Sequence, residues 1–122
     1  MKKHRQITSW GHIDWLQSKA YDSNAGANIG LVHLMPRTCQ AEHAHYTETQ
    51  FLYTMEGHGE HVIDGKHFMF QPGDYFFLPC GITHKTINHS DEMLVQLLFS
   101  MLFTLTAARR PPSNRCTSPT PT

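Results

Sequence analysis

Short apolar runs follow one another from Asn28 onward, and glycine, proline and aspartate separate them. Aromatic and β-branched residues are frequent in these runs, and segments of this length and spacing are typical of an all-β barrel or sandwich. We therefore predict little helix. The predicted strands span residues 29–35, 49–55, 60–64, 67–71, 75–79, 84–88 and 93–99.

Two short segments between these runs carry turn signals. Asp64-Gly65 favours a two-residue type I′ hairpin, because both central positions of that turn need positive φ. Between residues 71 and 74, Pro72 fixes φ and Gly73 supplies a left-handed position. Both segments are therefore predicted to be tight turns between consecutive strands.

The two ends of the chain differ from this central part. Residues 1–27 form an N-terminal extension without an assignment, because residues 13–16 fit a strand as well as a short helical turn. Residues 101–122 are predicted to be a disordered or truncated tail, since the chain from Ala107 onward has too little apolar surface to order itself. The abrupt change fits either a linker cut short or a shifted reading frame. The predicted barrel domain spans residues 28–100.

Composition narrows the class of partner and the compartment. The 10 basic and 10 acidic side chains cancel, so charge predicts no binding to nucleic acid or to an anionic membrane. The apolar stretch 93–105 is interrupted by polar residues and is shorter than the roughly 20 residues of a spanning helix. No signal peptide is visible, and three cysteines without a Cys-x-x-Cys pair favour reduced thiols in the cytoplasm.

Histidine is the compositional outlier, with 10 residues in this chain. His43 and His45 are two positions apart, and in a strand such side chains point to the same face. His84 begins another predicted strand later in the chain. Neutral imidazole binds zinc, iron, nickel or copper, and three of them leave positions open for water or a ligand. The histidines therefore predict an open metal site if the fold brings His84 beside the other two.

Two motifs in the chain resemble those of the cupin superfamily. The second motif matches at every defined position and the first at most of them, and fifteen residues separate the two, as in compact microbial cupins. The resemblance covers residues 28–99 and implies a single cupin β-barrel, a jelly-roll-like double-stranded β-helix. The matching residues are His43, His45 and Gly57 in the first motif, with Gln50 at the position of its fourth ligand, and Gly73, Pro79, Gly81, His84 and Asn88 in the second.

The chain departs from the first motif at two positions. Arg37 stands where a glycine usually opens the motif, and Gln50 stands where a glutamate usually supplies the fourth metal ligand. A glutamine carbonyl carries no charge and binds a cation more weakly than a carboxylate does. Glu48 is the alternative donor, because positions 48 and 50 share a strand face. The resemblance implies a divalent metal ion (iron, manganese, nickel or zinc) held by His43, His45, Gln50 and His84.

Further residues near the motifs invite a function. Thr86 is a short side chain on the same face as His84, which makes it a candidate contact for a small ligand in the barrel. His58, His61 and His67 lie around the Asp64-Gly65 hairpin, and we interpret them as a solvated hairpin rather than as a second metal cluster or a pH sensor. The segment 93–99 is almost continuously apolar, so a homodimer is expected to cover its outer face.

The resemblance also has implications for function. The stretches 57–65 and 71–79 look like the sugar-sensing N-terminal domains of AraC-type transcription regulators, which implies a sensory module that binds a small sugar-like ligand. No helix-turn-helix pattern follows Phe99, so this chain is not expected to bind nucleic acid directly. The alternative is a metal-dependent dioxygenase, isomerase or decarboxylase for a small oxygenated substrate. No catalytic residue is assigned for it, because Gln50 replaces the carboxylate. A barrel with a vacant cavity is the third reading.

Overall fold

Nine β-strands make up the computed structural model, which describes residues 4–102. This part of the chain contains no helix, which confirms the predicted all-β class, and hence none long and apolar enough to cross a membrane. The predicted tail lies outside the described residues from position 103 onward. The strands are β1 (His4–Ile7), β2 (Gly11–Gln17), β3 (Ala27–Leu34), β4 (Glu48–Glu56), β5 (Gly59–Ile63), β6 (Lys66–Phe70), β7 (Tyr75–Leu78), β8 (His84–Ile87) and β9 (Leu94–Leu102).

The strands form two antiparallel sheets that pack face to face as a barrel. The larger sheet has six strands in the order β1-β2-β3-β9-β4-β7, and the smaller has three in the order β6-β5-β8. Phe70 of the small sheet packs with residues of the large sheet in one apolar core. This core consists of Val32, Leu34, Leu52, Phe70, Leu78, Leu94 and Leu98.

The N-terminal extension adds two strands to the seven that the sequence predicts. Residues 13–16 lie within β2, so they form a strand and not a helical turn. β2 pairs with β3, with Ile13 opposite Val32 and Trp15 opposite Gly30. β1 then pairs with β2 at the edge of the sheet. The extension therefore widens the large sheet and supplies side chains to its inner face.

β9 lies in the middle of the large sheet, between β3 and β4. Its inner face alternates apolar and polar side chains, and all four are almost completely buried: Leu94, Gln96, Leu98 and Ser100. The Oγ of Ser100 has no hydrogen-bond partner among the described residues. The sequence presents 93–99 as an apolar run, but its register places Gln96 in the interior. Polar side chains facing inward at this point indicate a cavity rather than a continuous core.

Backbone conformation explains several motif positions. Asp64 and Gly65 have φ values of 52° and 78°, as the predicted type I′ hairpin requires. Gly57 has φ of 84°, and a Cβ there would lie 2.8 Å from the carbonyl oxygen of Met93, so no other residue fits without a shift. Arg37 also has positive φ, at 61°. A positive φ explains why cupins usually have a glycine at this position. In this chain the Arg37 side chain forms an exposed ion pair with Asp91.

The segment between β3 and β4 lies along β8. His43 and His84 form an isolated antiparallel bridge with backbone hydrogen bonds of 3.0 and 2.8 Å, and Cys39 and Ile87 form a second bridge. The buried side chain of Asn88 donates hydrogen bonds to the carbonyls at the end of β3 and to that of Glu92. Asn88 thus fixes the end of β8, and the bridges place this segment beside it.

Two of the cysteines can be compared with the expectation of reduced thiols. Cys39 is exposed and free. Cys80 is disulfide-bonded, which corrects the expectation at that position. Cys116 lies outside the described residues. The cysteine argument for a cytoplasmic protein is therefore weaker than the sequence suggests.

Candidate metal centre and ligand cavity

His43, His45 and His84 lie together at one end of the cavity between the sheets. Their ligating nitrogens all lie within 4.8 Å of one another. The ring centroids are 5.0 Å apart for His43 and His45, 4.3 Å for His43 and His84, and 5.5 Å for His45 and His84. The sequence pattern treats His43 and His45 as residues of one strand, but the structure places them outside the regular strands. The backbone bridge between His43 and His84 brings the pair to β8.

The Nδ1 contacts of these histidines leave the second ring nitrogen of each without a protein partner among the described residues. Nδ1 of His43 contacts the carbonyl oxygen of Ala41 at 2.7 Å, and Nδ1 of His84 contacts that of Ile82 at 3.1 Å. Nδ1 of His45 contacts the Glu48 carboxylate at 3.1 Å. Because a carbonyl oxygen only accepts hydrogen bonds, the rings of His43 and His84 carry a proton on Nδ1, and the nearby Glu48 carboxylate favours the same tautomer in His45. The three Nε2 lone pairs are then available, and no hydrogen bond within residues 4–102 uses them.

Burial favours the neutral form of His45 and His84. The pKa of His84 is lowered to about 4, mainly by burial and then by the nearby His43, while the hydrogen bond to Ile82 opposes the change. Burial also lowers the pKa of His45, and the Glu48 carboxylate opposes that shift. Neutral imidazole is the form that binds a metal ion. His45 and His84 can therefore bind a divalent cation at neutral pH without first losing protons.

Gln50 and Glu48, the two alternatives for the fourth ligand, both line the cavity with the three histidines. Gln50 is buried on β4, with 8% of its surface exposed, and its carboxamide makes no hydrogen bond to any described residue. Glu48 instead contacts His45, and it does not join the group of donors within 4.8 Å. The Gln50 carboxamide is therefore open to the cavity, whereas the Glu48 carboxylate contacts Nδ1 of His45.

The cavity has a volume of about 520 Å³. Thr86 lines it beside His84, as the strand pattern predicts, and its side chain is buried. No lysine or arginine within residues 4–102 lines this cavity. The wall combines aromatic, aliphatic and amide side chains, a composition typical of sites for small organic ligands. The lining residues that complete the wall are Gln6, Thr8, Trp10, Ile13, Trp15, Asn28, Val32, Gln40, Ala41, Leu52, Gln96 and Leu98.

Five of these lining residues come from the N-terminal extension, which sequence reasoning left without an assignment. Trp10, Ile13 and Trp15 form an aromatic and aliphatic part of the wall, and Trp15 donates a hydrogen bond to Gln6. The signal was present in the sequence. Ile13 and Trp15 alternate with His12 and Asp14, which is the period of two expected of a half-buried strand.

His61 corrects the interpretation of the hairpin histidines. His58 and His67 are exposed, as expected, but His61 is completely buried on β5. Its Nδ1 lies 3.0 Å from the Thr86 hydroxyl, and its Nε2 lies 3.1 Å from the Gln96 amide nitrogen. Burial lowers the pKa of His61 to about 3. His61 is therefore a neutral ring behind the cavity wall.

The hydrogen bonds of His61 determine what the wall offers to a ligand. The Gln96 amide donates to His61 Nε2 and to the Thr54 hydroxyl, so both of its hydrogens are used. His61 then carries its proton on Nδ1 and donates it to Thr86. Gln96 keeps a free carbonyl oxygen, and Thr86 keeps a free hydroxyl hydrogen. These two residues on either side of His61 thus offer one acceptor and one donor to the cavity.

Comparison with known proteins now identifies the family. Residues 30–101 match the family described as the Cupin domain. The chain belongs to the cupin family. No curated protein matches the chain by sequence. The histidines of the two cupin motifs are therefore the three that meet in the cavity, whereas Gly57 and Asn88 of the same motifs have structural roles.

Solved structures give the same result for the fold. A predicted oxalate decarboxylase from Thermotoga maritima is 25% identical, with a TM-score of 0.70, over 84% of this cupin and 93% of that chain. A Cupin 2 conserved barrel domain protein from Salinispora arenicola is 24% identical, with a TM-score of 0.67, over 86% and 83%. KdgF from Halomonas sp. is 18% identical, with a TM-score of 0.68, over 84% and 88%.

Proposed function

We propose that this cupin binds a divalent metal ion through the Nε2 atoms of His43, His45 and His84, with the Gln50 carbonyl as fourth protein ligand. The observation that carries the proposal is the set of Nδ1 contacts of the three rings. Nδ1 of His43 and of His84 is hydrogen-bonded to a backbone carbonyl, and Nδ1 of His45 lies 3.1 Å from the Glu48 carboxylate as an ion-pair contact, so each Nε2 lone pair is directed away from protein partners. Iron, manganese, nickel and zinc all accept this donor set. A bound ion would supply a Lewis-acidic centre for a ligand oxygen.

The ligand that we propose is a small, neutral, polyhydroxylated molecule such as a sugar. The cavity is of the size that holds small ligands, which is about 300–1,000 Å³. Trp10 and Trp15 offer flat apolar surfaces, and the Thr86 hydroxyl and Gln96 carbonyl offer one donor and one acceptor. An anionic ligand would meet no basic side chain on the described wall. The metal ion would be its sole cation, so hydroxyl groups suit this wall better than carboxylates.

The first experiment measures metal in protein purified without a histidine tag. We expect one ion per chain in the cavity site and its loss in His45→Ala, while His67→Ala, an exposed histidine outside the cavity, keeps it. Gln50→Glu should bind the same ion at least tenfold more tightly, because a carboxylate adds a negative charge to the site. Equal metal content in wild type and His45→Ala would refute the metal site, and unchanged affinity in Gln50→Glu would refute Gln50 as a ligand.

The second experiment tests the ligand class with tryptophan fluorescence and thermal stability. Neutral monosaccharides should quench Trp10 and Trp15 and raise the melting temperature, and the matching sugar acids should do so more weakly. Trp15→Leu should remove most of the quenching. Tighter binding of sugar acids than of neutral sugars would contradict the proposed ligand.

With a small sugar-like ligand, the role that we propose for this cupin is that of a sensory domain. A sensor needs a second copy or partner to transmit binding, and the outer face of the large sheet carries exposed aromatic side chains at Tyr53, Tyr75 and Phe77. We therefore propose a homodimer through this face, located in the cytoplasm. Light scattering of wild type and Phe77→Glu tests the dimer: a monomer in both would exclude it. Cell fractionation tests the location.

A metal-dependent enzyme is the second candidate, and Glu48 is the observation that favours it. Glu48 is the one carboxylate on the described cavity wall, and it contacts a proposed metal ligand. It could hold a proton for an oxygenated substrate bound nearby. If this cupin is an enzyme, Glu48→Gln should lose turnover at unchanged metal content when the metal site is saturated. Turnover equal to that of wild type would remove Glu48 as the acid or base.

A further inference from the structure

We propose that His12, Asp14 and His33 form a second divalent-metal site, on the outer face of the six-stranded sheet. His12 and Asp14 lie two positions apart on β2, so they share a strand face. His33 on β3 lies directly opposite His12 in the antiparallel register. Ile13 and Trp15 of the same strand line the cavity, so this cluster is on the opposite side of the sheet from the cavity histidines.

The three donors lie close enough for one ion to bind after small side-chain rotations. Their ligating atoms all lie within 4.8 Å of one another, and His12 Nε2 is 3.9 Å from Asp14 Oδ2. The two imidazoles stack with centroids 4.2 Å apart. Zinc binds nitrogen and carboxylate oxygen at about 2.0–2.2 Å, so donors in a tetrahedral site are about 3.4 Å apart. The required movements are therefore on the order of 1 Å.

Hydrogen bonding leaves the two imidazoles available. His33 Nδ1 contacts the carbonyl oxygen of Leu31 at 3.1 Å, which places its proton on Nδ1 and leaves Nε2 free. His12 makes no hydrogen bond to a described residue through either nitrogen, although only 19% of its side chain is exposed. The His12 nitrogens are not among the completely buried polar atoms, so water reaches this ring and a metal ion can take the place of that water.

Arg5 donates two hydrogen bonds to the Asp14 carboxylate and is therefore expected to limit the affinity of the proposed site for a metal ion. Its Nε and Nη2 contact Oδ1 and Oδ2 of Asp14 at 2.7 and 3.0 Å. A carboxylate has about four lone-pair positions, so Oδ2 can still bind an ion. The Arg5 side chain is more than half exposed, at 56%, and can move into solvent. The guanidinium charge nevertheless opposes a cation, so removing it should strengthen binding.

Two imidazoles and one carboxylate favour zinc, cobalt or nickel over magnesium or calcium, which prefer oxygen donors. Water would complete the coordination. An ion here would connect β2 to β3, the two strands that join the N-terminal extension to the rest of the sheet. Its expected effect is thus on the stability of that extension, and it is independent of the cavity site.

The test uses the full chain carrying His43→Ala and His45→Ala, which removes the cavity site at two half-buried positions. Zinc titrated into this variant, followed by calorimetry, should bind at one ion per chain and raise the melting temperature by several degrees. Adding His33→Ala should weaken that binding at least tenfold, and adding Arg5→Gln should strengthen it severalfold. Cobalt should give the absorption bands of mixed nitrogen and oxygen ligands.

Absence of zinc binding in the cavity-deficient variant at millimolar zinc would overturn the second site. Binding that survives His33→Ala would overturn the assignment of its ligands. Unchanged or weaker binding with Arg5→Gln would show that Asp14 serves only as the ion-pair partner of Arg5, and this too would overturn the site. These outcomes do not depend on whether the cavity of the wild-type protein binds a metal ion, so the two proposed sites are tested separately.

Discussion

His84 and His61 lie on neighbouring strands of the small sheet, are both buried, and both have a lowered pKa, at about 4 and about 3. They differ in how many ring nitrogens the protein uses. His84 has one nitrogen bonded and the other open to the cavity, whereas both nitrogens of His61 have partners. Burial and neutrality therefore do not distinguish a ligand from a structural histidine. The number of satisfied nitrogens does.

The largest expected effect comes from removing His61. His61→Ala should lower the free energy of unfolding by about 3 kcal/mol, because it leaves a cavity and deprives Thr86 and Gln96 of a partner. Urea denaturation measures this. His67→Ala on the same hairpin, at an exposed site, should change it by less than about 0.5 kcal/mol. A loss below about 1 kcal/mol in His61→Ala would mean that the His61 hydrogen bonds are not structural.

The second prediction concerns pH in the metal-free protein. The pKa of His61 falls to about 3 on folding, from 6.5. Between these values the unfolded chain binds a proton at His61 and the folded chain does not, so stability is fully present above pH 6.5 and is lost as pH falls. Between pH 6.5 and 4.5 the His61 contribution is about 2–3 kcal/mol. Urea denaturation should show that the free energy of unfolding falls less between pH 6.5 and 4.5 in His61→Gln than in wild type, by about 2–3 kcal/mol. An equal fall in the free energy of unfolding in both proteins would contradict the role of His61 in this pH dependence.

The third prediction tests the open histidines through their supporting carboxylate. Glu48→Gln should weaken metal binding by about 10–100-fold, because the carboxylate orients His45 and increases its basicity. The unfolding free energy of the metal-free variant should change by less than about 1 kcal/mol. Competition with a chelator gives the affinity. Complete loss of stoichiometric binding would instead assign Glu48 as a direct ligand, in place of Gln50.

The smallest expected effect is that of Thr86, which contacts His61 and lies two positions from His84 on β8. Thr86→Val keeps the shape but removes the hydroxyl that accepts from His61, so the unfolding free energy should fall by about 1 kcal/mol. Sugar binding should weaken while metal affinity stays within about threefold. If metal affinity falls with sugar affinity, His61 and His84 are not independent, and the comparison between them fails.

Much of the fold can be predicted from the sequence, because its signals are local. Alternation with a period of two and the turn residues place seven strands, and the positive φ at Asp64 and Gly65 is as predicted. The N-terminal strands were missed although Ile13 and Trp15 alternate with polar residues, since a short segment alone does not separate a strand from a helical turn. The three cavity histidines are found by their motifs, and the structure then brings them together.

The β class, the main turns and the candidate metal ligands can be predicted from the sequence, since they depend on residue type and on neighbours along the chain. The folded barrel is needed to show that His61 is buried behind Thr86, that Glu48 contacts His45, and that Trp10 and Trp15 form part of the cavity wall. Those facts depend on which strands pair and in which register. A shift of one residue in a strand exchanges its inner and outer side chains, and only the folded barrel fixes that register.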